Sequence, residues 1–475
     1  MEAVDEWLLQ SLRLYRDLHT FELQAPTRLI EWARGSRVCV AGYGQSDGNE
    51  ILQLIPPPTL LTKETQVGVA AMVAPDLSDL LGLIFSETRS GLGGLHEVLP
   101  VAVTRTWPGT EQLWLKGKAC KSPGCCPVML SCSCSADSLG CGHFISRCVN
   151  ESISWGKRTH ENSKGLCPER DFKVECGGFS ERPVYSLKYV PDTSLLVTSG
   201  PPDSSLQVWQ VSAEDSDIIK SVGLIETEND TGQSWAKIAT ISARAPWVLH
   251  SSRLDRVQIT EVESRKNVYI AASGGSEELS SLAFLDCNTL LLCCTTGRLC
   301  LADIRQPQSL VEAVSVPSAP CSEQWCMGTR HGAQGLEPSS QPVARLSNRG
   351  LLTLTDLRKT SEFLALAKAR VPSPGSGAEF LCVSWAPALE GCLAISGFDG
   401  TVHVYDTQSW DSSGKEAEPI FVHKGHAFGG AGGSGDSPLV TVHTWHLQKP
   451  RTLLSAASDG SLHVWDWVQP CGKGG

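Results

Sequence analysis

Short runs of alternating apolar and polar residues, each closed by turn residues, recur along most of this chain. The clearest runs from Leu453 to Trp467, LLSAASDGSLHVWDW. Leu453 and Leu454 lead into small residues, Asp459-Gly460 gives a two-residue hairpin signal, and Leu462, Val464 and Trp465-Asp466 follow in near-alternation. A second copy, Leu393 to Asp406, LAISGFDGTVHVYD, matches it in register, Asp399-Gly400 with Asp459-Gly460 and Tyr405-Asp406 with Trp465-Asp466. Two hairpins of one pattern predict a repeat architecture.

Weaker copies complete the series. The first unit holds LIEW, VCVAGY and EILQL between Leu29 and Leu54. A second begins at Val184 with YSLKYVP, LLVTSG and LQVWQV, and a third spans Ile238 to Val262 around VLHSS and VQITEV. The fourth runs from Leu282 through LLLCCTTGRLCLADIR, and the fifth ends in VARLSNRGLLTLTDLR at Arg358. The two clear hairpins, led by FLCVSWAP and LVTVHTW, are the sixth and seventh. Residues 306–340 and 411–438, rich in Ser, Gly, Pro and charge, read as long loops. Ahead of the repeats, Trp7, Leu8, Leu12, Tyr15 and Leu18 share one helical face, which predicts an amphipathic helix from Asp5 to Leu18 within an N-terminal segment 1–20.

Lys424-Gly425-His426, Trp445, Asp459-Gly460 and Trp465-Asp466 in the last unit, with Trp385, Asp399-Gly400 and Tyr405-Asp406 in the sixth, resemble the WD-repeat β-propeller family. In earlier units Thr260-Glu261, Ala302-Asp303 and Thr355-Asp356 stand where Trp-Asp would be. The resemblance implies an all-β fold, a seven-bladed propeller of four-stranded antiparallel sheets. Phe21 to Leu23 would add the outer strand of the last blade and remove a free sheet edge. It also implies that Ser455, Asp459, Trp465 and His426 form a structural hydrogen-bond tetrad rather than a nucleophilic triad, with His443 as a rival for His426. Ile395 at the Ser455 position denies blade six the same tetrad.

Against that pattern the chain divides into a closing strand and first blade at 21–64, a foreign segment at 65–164 between blades one and two, and blades two to seven at 165–475. Seven cysteines fall between Cys120 and Cys148, and no alternating strands can be drawn through them. With His143 they are zinc-ligand types, but Cys125-Cys126 and Cys132-Ser133-Cys134 lack paired Cys-x-x-Cys spacing. The reading is therefore an unstructured insert without metal.

Composition narrows the function classes. The net charge of −11 gives no footprint for nucleic acid, and no window is apolar enough to span a membrane. The acidic start MEAVDEW lacks signal-peptide order, so a cytoplasmic chain with free thiols is expected. No phosphate loop, dinucleotide fingerprint, HExxH or GxSxG occurs, and no cofactor is expected. His443 and His446 flank Trp445 on opposite strand faces, so His423, His426, His443 and His446 do not read as one metal site.

The chain reads as a monomeric, non-enzymatic protein-interaction scaffold. The branch of the family it most resembles implies cytoplasmic assembly of the RNA endonuclease module of the Integrator complex, and links to tubulin-associated proteins, spindle poles and the cleavage furrow. Asp303-Ile304-Arg305 and Asp356-Leu357-Arg358 end two units as Asp-x-Arg, and some WD-repeat proteins dock a cullin-RING ligase adaptor through such an Arg. A ligase substrate receptor is thus the alternative. Arg305, Arg358, Trp7 and Leu8 are the candidate partner contacts.

Overall fold

A computed structural model describes residues 14–23, 26–42, 49–57, 171–211, 218–227, 235–271, 275–306, 323–330, 342–359, 363–372, 379–428 and 438–468, and the strand backbones at 101–107, 110–115, 130–132 and 310–314. Seven sheets, antiparallel except for one short added strand, succeed one another along the chain, and each packs its faces on the sheets before and after it. The fold is an all-β seven-bladed propeller.

Blade 7 illustrates how the sequence builds a blade. Val440–Trp445, Thr452–Ala457 and Ser461–Trp467 pair in order, and Tyr15–Glu22 adds the fourth strand on the outside. All six residues of Thr452–Ala457 are buried because both faces of this strand meet another blade. Leu453, Trp465 and Trp467 pack against blade 6 with Val402, Val404 and Phe421, while Leu454, Leu462 and Val464 pack against Val38, Val40 and Leu54 of blade 1. The hairpin turns on Gly460, which takes φ +86°, a conformation that costs glycine nothing. Gly400 serves its own turn differently: a Cβ there would lie 2.8 Å from the Pro438 carbonyl.

The closing strand is longer than expected. It runs from Tyr15 opposite Trp467 to Glu22 opposite Ser461, and Leu23 N–H adds a bond to the Gly460 carbonyl at 2.9 Å. The predicted helix therefore does not reach Leu18; Leu14 is helical, and residues 5–13, including Trp7 and Leu8, lie outside the described residues. The cause is a bulge between Tyr15 and Asp17. It puts Tyr15 and Leu18 on the face toward blade 6 and Phe21 on the face toward blade 1, so a spacing of three that reads as helical is produced by a strand.

Blade 1 also departs from expectation. Its strands are Thr27–Ala33, Arg37–Gly42, Asn49–Ile55 and Lys173–Ser180, so the foreign segment enters between the third and fourth strands of this blade rather than between blades. The outer strand escaped the sequence pattern because Gly177-Gly178 interrupts it and Val174 and Phe179 are exposed. Of 65–164 itself, the backbone forms a small antiparallel sheet of Val101–Trp107, Thr110–Leu115 and Leu130–Cys132, the last strand lying where no alternation was legible. That sheet belongs to a compact unit separate from the propeller. The rest of the unstructured-insert reading, and the zinc reading with it, lies outside the described residues.

The two presumed loops carry strands. Leu310–Val314 completes blade 4 and Trp325–Gly328 begins blade 5; Phe421–His423 completes blade 6, and Lys415–Ala417 joins blade 5 as a fifth strand, parallel to Ala365–Ala369. At three to five residues, such strands are too short to show a period.

Candidate functional site

The predicted tetrad residues come together between blades 6 and 7. Trp465 and Ser455 sit on neighbouring strands, and the Trp465 indole N–H donates to Ser455 Oγ at 3.1 Å. His426, on the one-turn helix Gly425–Phe428 that connects the two blades, places Nε2 2.8 Å from Ser455 Oγ and Nδ1 2.7 Å from Ser461 Oγ. Ser461 Oγ donates to Asp459 Oδ1 at 2.6 Å, so the carboxylate reaches the imidazole through a hydroxyl. Because that proton is committed to Asp459, Ser461 accepts from His426 Nδ1–H, and Ser455 donates to Nε2. Ser455 and His426 are fully buried; Ser455 Oγ is taken by Trp465 and His426, and both ring nitrogens of His426 are hydrogen-bonded. A serine with no exposure and its neighbours so engaged cannot meet a substrate; the group ties loop to sheet.

His443, the rival, serves blade 6 instead, bridging Ser384 Oγ and Ser396 Oγ at 2.7 Å each. His446 accepts from the backbone N–H of Gln448 and Lys449 at 3.1 and 3.0 Å.

A third histidine joins His423 and His426, and the sequence reading missed it. His463 precedes Trp465 by two and so shares its face, a signal that strand alternation carries. Among the described residues, His423, His426 and His463 are the group whose ligand atoms lie within 4.8 Å of one another. Geometry opposes a shared ion: His426 and His463 stack at 3.8 Å with 6° between their planes. A ring nitrogen's lone pair lies in its own ring plane, and one ion cannot lie in two parallel planes that far apart. The rings form a hydrogen-bonded chain instead. Burial pushes the Tyr15 phenol up, so it keeps its proton and donates to His423 Nδ1 at 2.7 Å, and His423 Nε2–H donates to His463 Nδ1 at 3.1 Å. The closing strand is thus fastened to blade 6 by a side chain as well as to blade 7 by its backbone. Burial holds all three histidines well below the ordinary imidazole range, each next lowered by a neighbour in the cluster.

The site equivalent to Ser455–Trp465 differs in every blade. Blade 2 keeps a version, with Trp209 Nε1 donating to Thr198 Oγ1 at 2.8 Å. Blade 3 has His250 and Thr260 at 2.9 Å, and blade 5 has Arg345, fully buried, donating to Thr355 at 3.2 Å. Blades 4 and 6 fill it with Leu292–Ala302 and Ile395–Tyr405, all buried.

Arg305 and Arg358 are exposed, with 67% and 56% of their side chains accessible, and each is held by its own aspartate. Arg305 Nη2 donates to Asp303 Oδ2 at 2.6 Å, and Arg358 Nη2 to Asp356 Oδ2 at 2.7 Å. The structure does not bring these arginines into the cluster between blades 6 and 7.

No family model matches the chain. It is 38% identical over 468 residues to Integrator complex assembly factor WDR73 of Mus musculus, covering 98% of this chain and 99% of that protein. The Homo sapiens protein of the same name is also 38% identical, with 99% of each chain covered, and the Xenopus laevis protein is 36% identical, with 97% of each covered. The likeness spans the propeller from its closing strand to its last blade, and this chain belongs to the WDR73 family.

Proposed function

We propose that this chain is a non-catalytic scaffold that assists assembly of the Integrator complex, acting in the cytoplasm to hold subunits of its RNA endonuclease module before nuclear import. The observation that carries the reading is the similarity, near full length on both sides, to proteins named Integrator complex assembly factor. The full burial of Ser455 and His426 agrees with it, since the triad-like arrangement that these residues suggest is closed to a substrate at its serine. A further presence at spindle poles is proposed from the family resemblance alone.

The test is affinity purification of the tagged chain from cytosolic and nuclear fractions, with quantitative identification of what co-purifies. Endonuclease-module subunits should be enriched in the cytosolic sample. The ligase-receptor reading keeps one observation in its favour, the pair of exposed arginines, each paired with its own aspartate, just after the third strands of successive blades. Enrichment of a cullin adaptor that vanishes in the Arg305→Ala/Arg358→Ala double variant would replace the assembly reading.

A further inference from the structure

Blades 1 and 2 present an apolar surface at their outer strands. Seven of the eleven large apolar side chains that stay exposed among the described residues lie on the outer strands of blades 1 to 3 or lead into them. Val174 and Phe179 stand on Lys173–Ser180, and Ile218, Val222 and Leu224 on the stretch that ends with Lys220–Ile225; Val268 and Ile270 continue the surface onto blade 3. The first two of these strands are joined where they approach. Gly177 pairs with Ile218 in a parallel bridge, and Ile219 N–H donates to the Gly177 carbonyl at 2.8 Å. Apolar side chains gathered in this way on a water-facing rim mark a contact surface.

Charge gives that surface a direction. Lys173 pairs opposite Ile55 and Lys220 opposite Gln210, the last residues of the adjoining third strands, so both lysines lie at one end of the rim. Glu181 and Glu226 follow Ser180 and Ile225, which pair opposite the first residues of those strands, Asn49 and Leu206, and so lie at the other end. All four charged side chains are exposed, and none makes an ion pair among the described residues. The acid between them, Glu175, is held by Arg37 and Gln53 at 2.7 Å each. In blade 3, Arg265 and Lys266 extend the basic end beside Glu263. A partner of a single charge would be attracted at one end and repelled at the other. A surface that is basic at one end, apolar in the middle and acidic at the other is complementary to itself turned through 180°. Strand addition is not the mode of contact. The Val222 carbonyl already accepts from Arg265 Nη2 at 2.7 Å, and that of Gly177 from Ile219, so side chains carry the contact.

We propose that this surface binds a second copy of the chain about a two-fold axis through the seam between blades 1 and 2, in place of the monomer read from the sequence. The axis lays the outer strand of blade 1 antiparallel along that of blade 2 in the other copy. Lys173 then meets Glu226, Lys220 meets Glu181, and the apolar side chains pack between the charge pairs. Each contact occurs twice.

The experiment is sedimentation velocity of the full chain from about 5 to about 500 µM, a range that detects weak dimers. The mass should double reversibly as concentration rises. Lys173→Glu/Lys220→Glu and Glu181→Lys/Glu226→Lys should each weaken dimerisation at least about tenfold, and an equimolar mixture of the two should restore it, because every pair across the axis is then of opposite charge. Adding Val222→Ser/Leu224→Ser to both should keep the mixture monomeric, which separates this contact from general attraction between opposite charges. On the unaltered chain, carbodiimide coupling of mixed ¹⁴N- and ¹⁵N-labelled copies should join Lys220 to Glu181 and Lys173 to Glu226 in peptides of mixed label. A chain monomeric throughout, variants that dimerise undiminished, a mixture that stays apart, or mixed-label cross-links confined to other residues would each overturn the proposal.

Discussion

Acidification should unfold this propeller well before its carboxylates begin to protonate. Five buried histidines are held neutral: His250 is pushed down to about 3 and His443 to about 4 by burial, and His423, His426 and His463 well below the usual value. In the unfolded chain each titrates near 6.5. A base whose folded-state value is depressed contributes full stability above the unfolded value and loses it as pH falls, until the folded group protonates too. Each site therefore costs about 1.4 kcal/mol per pH unit below 6.5, or about 2 kcal/mol between pH 7.5 and 5. Five sites sum to about 10 kcal/mol, against a typical total stability of roughly 5 to 15. Carboxylates with lowered values, such as Glu175 beside Arg37 and the desolvated but hydroxyl-bonded Asp203, add their loss only at lower pH. The window from 6.5 to 5 thus belongs to histidine. Denaturant unfolding followed by tryptophan fluorescence at half-unit steps from pH 7.5 to 5 gives proton uptake from the slope of stability against pH. About four to five protons should be taken up on unfolding near pH 5.5. A slope worth fewer than two would refute the assignment of these side chains as neutral and buried, and with it the hydrogen-bonded chain from Tyr15 to His463.

Ser455→Ala should cost about 1 to 3 kcal/mol by leaving His426 Nε2 and the Trp465 N–H without their partner, read as a lower denaturant midpoint with unchanged slope. Tyr15→Phe removes a single hydroxyl and should cost roughly 1 kcal/mol, with faster amide exchange confined to residues 15–23 and 461–467; uniform acceleration across all blades would contradict a local seam. Deleting 65–164 while retaining Lys173–Ser180 should leave one cooperative unfolding transition at or above the full-length midpoint, because that unit and the propeller are separately compact. Arg305→Ala and Arg358→Ala should leave the unfolding midpoint unchanged, since each side chain meets mostly water.

The middle hairpin of each blade was legible because both faces of its strands are buried, as in Cys392–Ser396 and Thr452–Ala457, and burial enforces an apolar pattern. Outer strands were not. Asn267–Ile270 buries one residue of four and Lys220–Ile225 one of six, so neither needs alternation, and their places follow from pairing alone. The tetrad could be guessed because all its members sit in one resembling blade. Ser461's place between His426 and Asp459 and the stacking of His463 depend on side chains from neighbouring strands and blades, which no local pattern records.

The strand that closes the ring sets a timetable for the molecule's making. Tyr15 leaves the ribosome early and cannot pair until Trp467 follows. Joining ends so distant in sequence costs about 5 kcal/mol of chain entropy if nothing between them is folded, and less once six blades have shortened the path. During synthesis Phe21 and the facing surface of blade 1, Val38, Val40 and Leu54, stand without cover. A truncated chain lacking residues 461–475, and with them Ser461–Trp467, would stay in that condition permanently, so the loss of fifteen residues exposes apolar surface on a blade built from the other end of the sequence.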